Sequence, residues 1–361
     1  MKKLYFPNLD GLRFFAFLAV FFAHSFYSEE TYIQEHALYQ AFRSIGHLGI
    51  FGVNFFFVLS GFLITFLLIN EKESFGTISL RNFYIRRVLR IWPLYYFIIA
   101  VGFFVIPTIQ RDILGSSYEE SANIWHYVFF INNFFDQPSS AVLGVLWSIA
   151  IEEQFYLFWP VFIKIFTRRY WPAFFLSIIV FSAISRTFYI GYGYQHTLSC
   201  ISDLAIGSMM AYFAFYSSKF KETFSRMKFS YIAIIYVLGG SLFFFRSYWA
   251  DVAWLYLNER LLFSLFFSFI ILEQCYSEQP LKLGRLKLIT NWGKISYGLY
   301  MLHFVAIYIV AKVFELIVHE TLVSVLLFEP MMAFVISILL AFLSFNFFES
   351  YFLSWKKKFN R

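Results

Sequence analysis

The chain has 361 residues, of which 60% are hydrophobic, 24% aromatic and only 14% charged. Soluble domains carry about 25% charged residues, so this composition excludes an ordinary soluble enzyme and indicates a protein largely surrounded by lipid. The net charge of +7 favours basic cytoplasmic loops over nucleic-acid binding, because lysine and arginine accumulate in the cytoplasmic loops of membrane proteins. We therefore expect a lipid bilayer, and no nucleic acid, as a partner.

Apolar stretches of about 20 residues, the length of a helix that crosses the hydrocarbon core, recur along the chain. They predict an all-α, polytopic membrane protein with about ten transmembrane helices. The predicted spans are 9–28, 47–69, 92–109, 142–164, 171–190, 197–216, 229–246, 253–274, 295–314 and 322–350. A shorter apolar segment, 123–135, is expected to form a partly buried or interfacial helix.

The basic residues are distributed asymmetrically over these spans. With a cytoplasmic N-terminus, all but six of the 29 lysines and arginines fall on the cytoplasmic side, so the positive-inside rule predicts that both termini are cytoplasmic. The six exceptions are Arg43, Arg111, Arg186, Arg246, Arg260 and Lys312. We interpret residues 1–361 as a single membrane domain without a soluble domain. The first helix is not expected to be a cleaved signal, because charged residues interrupt it.

The first predicted helix carries three polar residues on one face. Helical residues advance by about 100° each, which places Asp10, Arg13 and His24 within an arc of roughly 60°. One interpretation is structural: Arg13 snorkels, Asp10 caps the helix and His24 packs at an interface. The other is catalytic, because an imidazole that titrates near neutral pH is a suitable general base for a hydroxyl group.

The fourth predicted span contains two adjacent carboxylates. Ser148, Glu152 and Tyr156 are four residues apart and share a helix face, whereas Glu153 points about 100° away. Glu152 or Glu153 could orient His24 and stabilise its imidazolium form. The structural alternative is an ion pair with Arg186 or another buried base.

The segment FYIRRVLRIWPLYY, interpreted as a loop between the second and third spans, places Arg86, Arg87 and Arg90 at the cytoplasmic surface. Arginine forks match phosphate oxygens in geometry and charge. Positive-inside topology explains the same cluster equally well.

Other polar residues occur inside predicted spans. They are Asn54 and Ser60 beside Gly61 in the second span, Arg186 in the fifth, Asp203 in the sixth and His303 in the ninth. Neither Cys200 nor Cys275 belongs to a metal-binding spacing, so we predict no metal site.

Five segments, in this order, carry a family resemblance: NLDGLRFFAFLAVFFAH, GVNFFFVLSGFLI, FYIRRVLRIWPLYY, WSIAIEEQFYLFWP and SYGLYMLH. Together they resemble the acyltransferase-3 family of bacterial membrane acyltransferases, essentially from residue 7 to the end of the chain. The resemblance implies a ten-helix protein of the bacterial inner membrane. It also implies that acetyl-CoA, or a related acyl-CoA, supplies the acyl group from the cytoplasm.

The resemblance also implies an extracytoplasmic or membrane-linked acceptor, such as the O-antigen of lipopolysaccharide, a capsule, an exopolysaccharide or peptidoglycan. It makes His24 the essential residue and makes Arg13, Arg87 and Arg90 important for activity. A homodimer remains open.

These expectations combine into one hypothesis. The arginines of the third segment, including Arg86, hold the phosphates of the acyl-CoA, and Arg13 holds its pantetheine arm or a phosphate. His24 takes the proton of a sugar hydroxyl, assisted by a carboxylate of the Asp10, Glu152 and Glu153 set. The candidates for substrate or oxyanion contacts are Asn54, Ser60, Ser148, Tyr156 and His303. A covalent acyl-histidine intermediate is an alternative to direct transfer.

Two other functional classes explain part of the sequence. A transporter or flippase of a lipid-linked glycan accounts for many spans and buried charges, but not for a phosphate-suited arginine cluster combined with the polar face of the first helix. A non-catalytic membrane scaffold predicts that the polar residues inside the spans tolerate replacement.

Overall fold

The computed structural model describes residues 6–135, 137–188, 195–250, 252–279, 282–318 and 320–359. Regular secondary structure in these ranges is helical, with no β-strand, as the apolar stretches predict. The helices of the first half are α1 (Pro7–Ser25), α2 (Thr31–Gln34), α3 (Ala37–His47), α4 (Phe51–Phe75), α5 (Leu80–Ala100), α6 (Ile106–Thr108), α7 (Ile124–Val128), α8 (Asn132–Phe135), α9 (Ala141–Gly144) and α10 (Leu146–Ile165).

The second half continues the helical pattern. Its helices are α11 (Trp171–Phe188), α12 (Thr197–Tyr216), α13 (Ser218–Ser225), α14 (Phe229–Phe244), α15 (Arg246–Trp249), α16 (Ala253–Tyr276), α17 (Lys287–Lys294), α18 (Ser296–Val313), α19 (Glu329–Leu343) and α20 (Ser350–Lys356). Wider π-helical turns occupy Val101–Val105, Ile109–Ile113, Phe314–Val318, Ser324–Phe328 and Ser344–Glu349. Tighter 3₁₀ turns occupy Leu48–Ile50, Arg168–Tyr170, Leu283–Arg285 and Lys357–Phe359.

Seven helical stretches of the described residues are long and apolar enough to cross a bilayer. They are Ala37–Phe75, Leu80–Ile113, Ala141–Ile165, Arg168–Phe188, Thr197–Tyr216, Ser296–Ile317 and Ser324–Phe359. A bent pair, Ser218–Ser225 and Phe229–Phe244, makes an eighth if it counts as one span. The predicted spans 9–28 and 253–274 correspond to α1 and α16, which carry charged residues and are not among the seven.

Two predictions of local structure are corrected. The segment that contains Arg86, Arg87 and Arg90 is helical rather than a loop, because α5 begins already at Leu80. Arginine and leucine are good helix formers, and only residues 76–79 separate α4 from α5. The apolar segment 123–135 forms two short helices, α7 and α8, instead of one, and Phe130 between them has a positive φ of 57°.

Several helices begin at a polar residue that caps the first turn. The side chains of Asn123, Ser140 and Ser217 accept hydrogen bonds from the backbone N–H groups of Trp125, Val142 and Phe220. Such a cap satisfies one of the N–H groups that a helix start leaves without an internal partner. These polar residues therefore set where α7, α9 and α13 begin.

The chain folds as two compact units, each built from three separate stretches of the sequence. The first unit comprises Met1–Arg13, Val53–Ile78 and Ile151–Gly293, and the second comprises Phe14–Gly52, Ser79–Ala150 and Lys294–Arg361.

Close backbone contact between α4 and α12 organises the first unit. A Cβ atom at Gly61 would lie 2.0 Å from the carbonyl oxygen of Leu204, and one at Gly207 would lie 2.0 Å from that of Val58. Small residues allow membrane helices to approach closely and to gain dispersion contacts where the hydrophobic effect is weak. Only glycine fits at these two positions, so they fix how α4 packs on α12.

The end of α10 in the same unit is held by Lys72. Its ammonium group donates hydrogen bonds to the carbonyl oxygens of Ile163, Lys164 and Phe166 at 2.7, 3.1 and 3.1 Å. It also lies 5.1 Å from the centre of the Trp171 ring. A cation satisfies the last carbonyl groups of a helix and offsets the negative end of its dipole. Lys72 therefore stabilises the carboxyl end of α10.

Replacing Gly207 by alanine tests the α4–α12 contact. The added methyl group has no room, so we expect a loss of about 1–3 kcal/mol of stability and a lower melting temperature in detergent. Gly240→Ala is the matched control, since no heavy atom lies within 4 Å of a Cβ at that helical position. The control should melt at or above the wild-type temperature, because alanine favours a helix over glycine. Equal melting temperatures for both variants would contradict the close contact.

Candidate functional site

The second unit brings two histidines together. His24 lies in the last turn of α1 and His303 in α18, and the centres of their rings are 5.7 Å apart. The ring of Phe304 packs against His24 with a centre-to-centre distance of 4.5 Å. Phe17 packs against His303 at 6.1 Å. An aromatic side chain therefore packs against each of the two histidines.

The tautomer of His303 follows from its hydrogen bond. Its Nδ1 atom lies 2.6 Å from the carbonyl oxygen of Tyr300. A carbonyl oxygen only accepts hydrogen bonds, so Nδ1 carries the hydrogen and Nε2 carries the lone pair of a neutral ring. His303 is fully buried, and its Nε2 atom has no hydrogen-bond partner among the described residues. The ring therefore presents a buried, unpaired acceptor in the immediate surroundings of His24.

Tyr300 connects this pair to Ser148. The two hydroxyl oxygens are 2.7 Å apart, and both side chains are buried. The Ser148 hydroxyl also lies 3.0 Å from the carbonyl oxygen of Val145. The backbone of Tyr300 thus fixes the His303 ring, while its side chain fixes α18 to the chain just before and within α10.

Glycines just before α4 and in its first turn contact α1 closely within the second unit. A Cβ atom at Gly49 would lie 1.8 Å from the carbonyl oxygen of Ala19, and one at Gly52 would lie 2.5 Å from that of Ala16. Contacts at backbone distance leave little freedom for sliding or rotation. They therefore support the position of α1 just before His24.

The arginines of α5 also belong to the second unit and differ in their surroundings. Arg86 donates a hydrogen bond of 2.8 Å to the carbonyl oxygen of Phe359, and the Arg87 guanidinium lies 5.7 Å from the centre of the Phe83 ring. Arg90 interacts electrostatically with Glu349, a buried carboxylate. All three arginines are only half-buried, so a charged ligand can reach them.

Two of the predicted polar residues of α1 lie in the first unit. Asp10 and Arg13 form an ion pair of 2.5 Å one turn apart, with Asp10 buried and 21% of the Arg13 side chain exposed. Asp10 therefore stabilises the charge of Arg13 near the start of the helix. A direct catalytic role of Asp10 and a cofactor role of Arg13 stay predictions.

Three further candidates meet around one carboxylate of the first unit. Glu152 accepts hydrogen bonds from the Ser60 hydroxyl at 2.6 Å and from the Tyr156 hydroxyl at 3.0 Å. The shared face of Glu152 and Tyr156 is the one that the four-residue spacing predicts. Asn54 is fully buried, and Glu153 is half-buried.

The proposed partnership between His24 and a glutamate of α10 stays a prediction. His24 belongs to the second unit, where His303 is its neighbour, whereas Glu152 belongs to the first unit, where Ser60 and Tyr156 donate to it. The sequence singled out His303 but did not indicate its pairing with His24, because 279 positions separate them in the chain. It also missed Glu349, although a carboxylate inside an apolar stretch is a recognisable signal.

A fold of long apolar helices with polar side chains buried between them defines a multi-pass membrane protein. Residues 6–346 match a protein-family model that is described as an acyltransferase domain. The chain therefore belongs to the acyltransferase-3 family. Among the described residues, no group of three or more His, Cys, Asp or Glu side chains is placed to hold a metal ion.

Several bacterial proteins are similar to this chain. Peptidoglycan O-acetyltransferase OatA of Listeria monocytogenes is 34% identical over 191 residues, which make up 50% of this chain and 28% of that protein. A Staphylococcus aureus protein named as a candidate O-acetyltransferase is 30% identical over 331 residues, 85% of this chain and 51% of the relative. YrhL of Bacillus subtilis, named as a candidate peptidoglycan O-acetyltransferase, is 34% identical over 170 residues, 45% of this chain and 24% of that protein.

The chain spans about half the length, or less, of these relatives. No solved structure matches it significantly.

Proposed function

We propose that this chain is an O-acyltransferase of the bacterial inner membrane, with ten spans, two cytoplasmic termini and residues 1–361 acting as one acyltransferase domain. It transfers an acyl group, in the first instance acetyl, from cytoplasmic acyl-CoA to a hydroxyl group of a cell-envelope glycan. Membership of the acyltransferase-3 family supports the reaction class. The names of the relatives favour peptidoglycan over lipopolysaccharide, capsule or exopolysaccharide as the acceptor.

The observation that carries the proposal is the contact between the half-buried His24 and the fully buried His303. In the reaction, His24 takes the proton of the acceptor hydroxyl while the hydroxyl oxygen bonds to the thioester carbonyl carbon. The carbon–sulfur bond then breaks, and the departing CoA thiolate takes the proton from the His24 imidazolium. General base catalysis of this kind contributes roughly 10²–10⁴-fold to the rate.

His303 acts on this step through His24. The unpaired Nε2 atom of His303 accepts a hydrogen bond from one ring nitrogen of His24, so the other nitrogen faces the acceptor hydroxyl. The ring centres are 5.7 Å apart, a separation that a small rotation or one bridging water closes, and catalytic hydrogen bonds are often long before substrate binds. His303 is therefore a positioning residue.

The arginines of α5 supply the binding of the acyl donor. Coenzyme A carries several phosphate charges, and Arg87 and Arg90 are one helical turn apart on a helix that the positive-inside rule orients towards the cytoplasm at this end. Guanidinium groups bind phosphate oxygens through paired N–H donors. Binding of the acyl-CoA is thus assigned to the arginines and proton transfer to His24. Mutations can therefore test the two roles separately.

Replacing His24 by asparagine removes the proposed base but keeps a polar side chain of similar volume. We expect acetyl transfer from labelled acetyl-CoA to the glycan of purified membranes to fall by roughly 10²-fold or more. His126→Asn, a change outside the candidate site, should leave transfer unchanged. Wild-type transfer by His24→Asn at matched protein levels would refute the proposal.

Variants of His303 separate positioning from structural support. His303→Leu removes the acceptor atom, so kcat should fall by about 10–100-fold, the equivalent of a hydrogen bond to a charged group, with both KM values unchanged. His303→Gln retains an acceptor and should recover part of this loss. A positioning role is wrong if the two variants lose kcat equally while melting at the wild-type temperature.

Variants of the arginines test donor binding. Arg87→Gln combined with Arg90→Gln should raise the KM for acetyl-CoA by about ten-fold or more, because hydrogen bonds to charged groups are lost. The KM for the glycan should not change. Arg81→Gln, an exposed arginine of the same helix, is the control and should keep both values. Equal increases of the two KM values in the double variant would indicate a structural role instead.

A further inference from the structure

A group of buried polar side chains in the first unit takes no part in the reaction proposed above. It joins Arg186 of α11, Asp203 of α12 and Arg260 of α16, which are 6%, 0% and 3% exposed. Serines line the contacts between them, and all of these are buried. Ionisable groups inside membrane helices are costly, and they are usually retained because they serve a binding or transport pathway.

Asp203 is the central carboxylate of this group. Its Oδ2 atom lies 2.6 Å from Nη2 of Arg260, and its Oδ1 atom accepts a hydrogen bond of 2.9 Å from the Ser264 hydroxyl. The Ser202 hydroxyl adds a longer contact of 3.4 Å to Oδ1. Asp203 is therefore satisfied by Arg260 and its serine neighbours and has no direct ion pair with Arg186.

Arg186 is bonded along one edge only. Its Nη1 atom donates to the carbonyl oxygen of Ser199 at 2.6 Å and to the hydroxyls of Ser202 and Ser182 at 3.0 and 3.3 Å. Its Nε and Nη2 atoms are buried and have no hydrogen-bond partner in the part of the chain that the structure describes. The Ser199 hydroxyl is also buried without a partner there.

The same edge of another arginine in this unit shows what it can bind. Nε and Nη2 of Arg246 donate to the two carboxylate oxygens of Glu259 at 2.8 and 3.2 Å. This is the two-pronged geometry in which guanidinium groups recognise carboxylates and phosphates. The Nε–Nη2 edge of Arg186 offers the same fork without a carboxylate of its own. A buried charged donor left unpaired is strongly unfavourable.

The positions of the basic residues around α11 indicate on which side of the membrane the Nε–Nη2 edge of Arg186 lies. Arg186 lies near the carboxyl end of α11, whereas the basic Arg168 and Arg169 immediately precede its start. The positive-inside rule puts that basic end in the cytoplasm and Arg186 towards the outer surface. We infer that the Nε–Nη2 edge of Arg186, with the Ser199 hydroxyl, binds an anionic group, carboxylate or phosphate, of the glycan acceptor.

This inference rests on the proposed function in one respect: the bound ligand is taken to be the acceptor of the acyl group. The purified protein is assayed with labelled acetyl-CoA and three oligosaccharides: a neutral N-acetylglucosamine oligomer, the same oligomer with one carboxyl group, and the same oligomer with one phosphate. We expect a KM about ten-fold or more lower for at least one charged oligomer than for the neutral one. The charged oligomer with the lower KM identifies the anion. Equal KM values for all three would overturn the inference.

Variants connect this preference to Arg186. Arg186→Gln should abolish the preference, so that the KM for the charged oligomer rises to that for the neutral oligomer measured with the same variant. Arg186→Lys keeps the charge but not the fork, so it should retain only part of the preference and serves if the glutamine variant does not fold. Arg246→Gln, which removes an arginine already paired with Glu259, is the control and should keep the preference. A preference that survives in either folded Arg186 variant at the wild-type level would overturn the inference.

Direct binding separates this inference from the proposed function. If the wild-type protein transfers acetyl to none of the oligomers, their binding is measured by titration calorimetry in detergent without acetyl-CoA. Binding of a charged oligomer that Arg186→Gln weakens by about ten-fold would support the anion site although the transfer reaction had failed. Absence of Arg186-dependent binding would overturn the site.

Discussion

A polar side chain between lipid-surrounded helices must find its partners within the protein, and this constraint organises the whole structure. Water is absent from the hydrocarbon core, so an unsatisfied group there costs several kcal/mol by order of magnitude. Thr65 illustrates the result: its hydroxyl oxygen lies 2.8 Å from that of Ser208 and accepts a hydrogen bond of 2.7 Å from the Trp159 ring. The few polar atoms that lack such a partner are therefore informative.

Two buried residues with unpartnered polar atoms, His303 and Arg186, stand out by their chemistry among the described residues. In the part of the chain that the structure describes, Nε2 of His303 is the acceptor of the neutral tautomer that the Nδ1 hydrogen bond selects, and Nε and Nη2 of Arg186 are charged donors. The first suits proton transfer, and the second suits recognition of an anion. The structure thus leaves a neutral acceptor available for a ligand at His303 and charged donors available for a ligand at Arg186.

Local properties of the chain could be predicted from the sequence. The apolar stretches gave the helical class, and the four-residue spacing placed Glu152 and Tyr156 on one face, where they are bonded. Pairings between distant helices could not be predicted, because periodicity defines the direction of a side chain but not the helix opposite it. Ser60 and Glu152, for example, are 92 residues apart, and Asp203 and Arg260 are 57 apart. The segment with Arg86, Arg87 and Arg90 is helical, since arginine and leucine favour helices, whereas its positive charge alone is typical of a cytoplasmic loop.

The π-helical turns have a consequence for comparing this chain with its relatives. All five described turns of this kind lie in the second unit, in the helices that extend α5 and α18 and in those on either side of α19. A π-turn accommodates one residue more than an α-turn, so it shifts every later side chain by about 100° around the axis. A relative that lacks one residue at such a turn can form an uninterrupted α-helix with the same faces beyond it. A single-residue gap within a span would then mark a change of helix type rather than an alignment error.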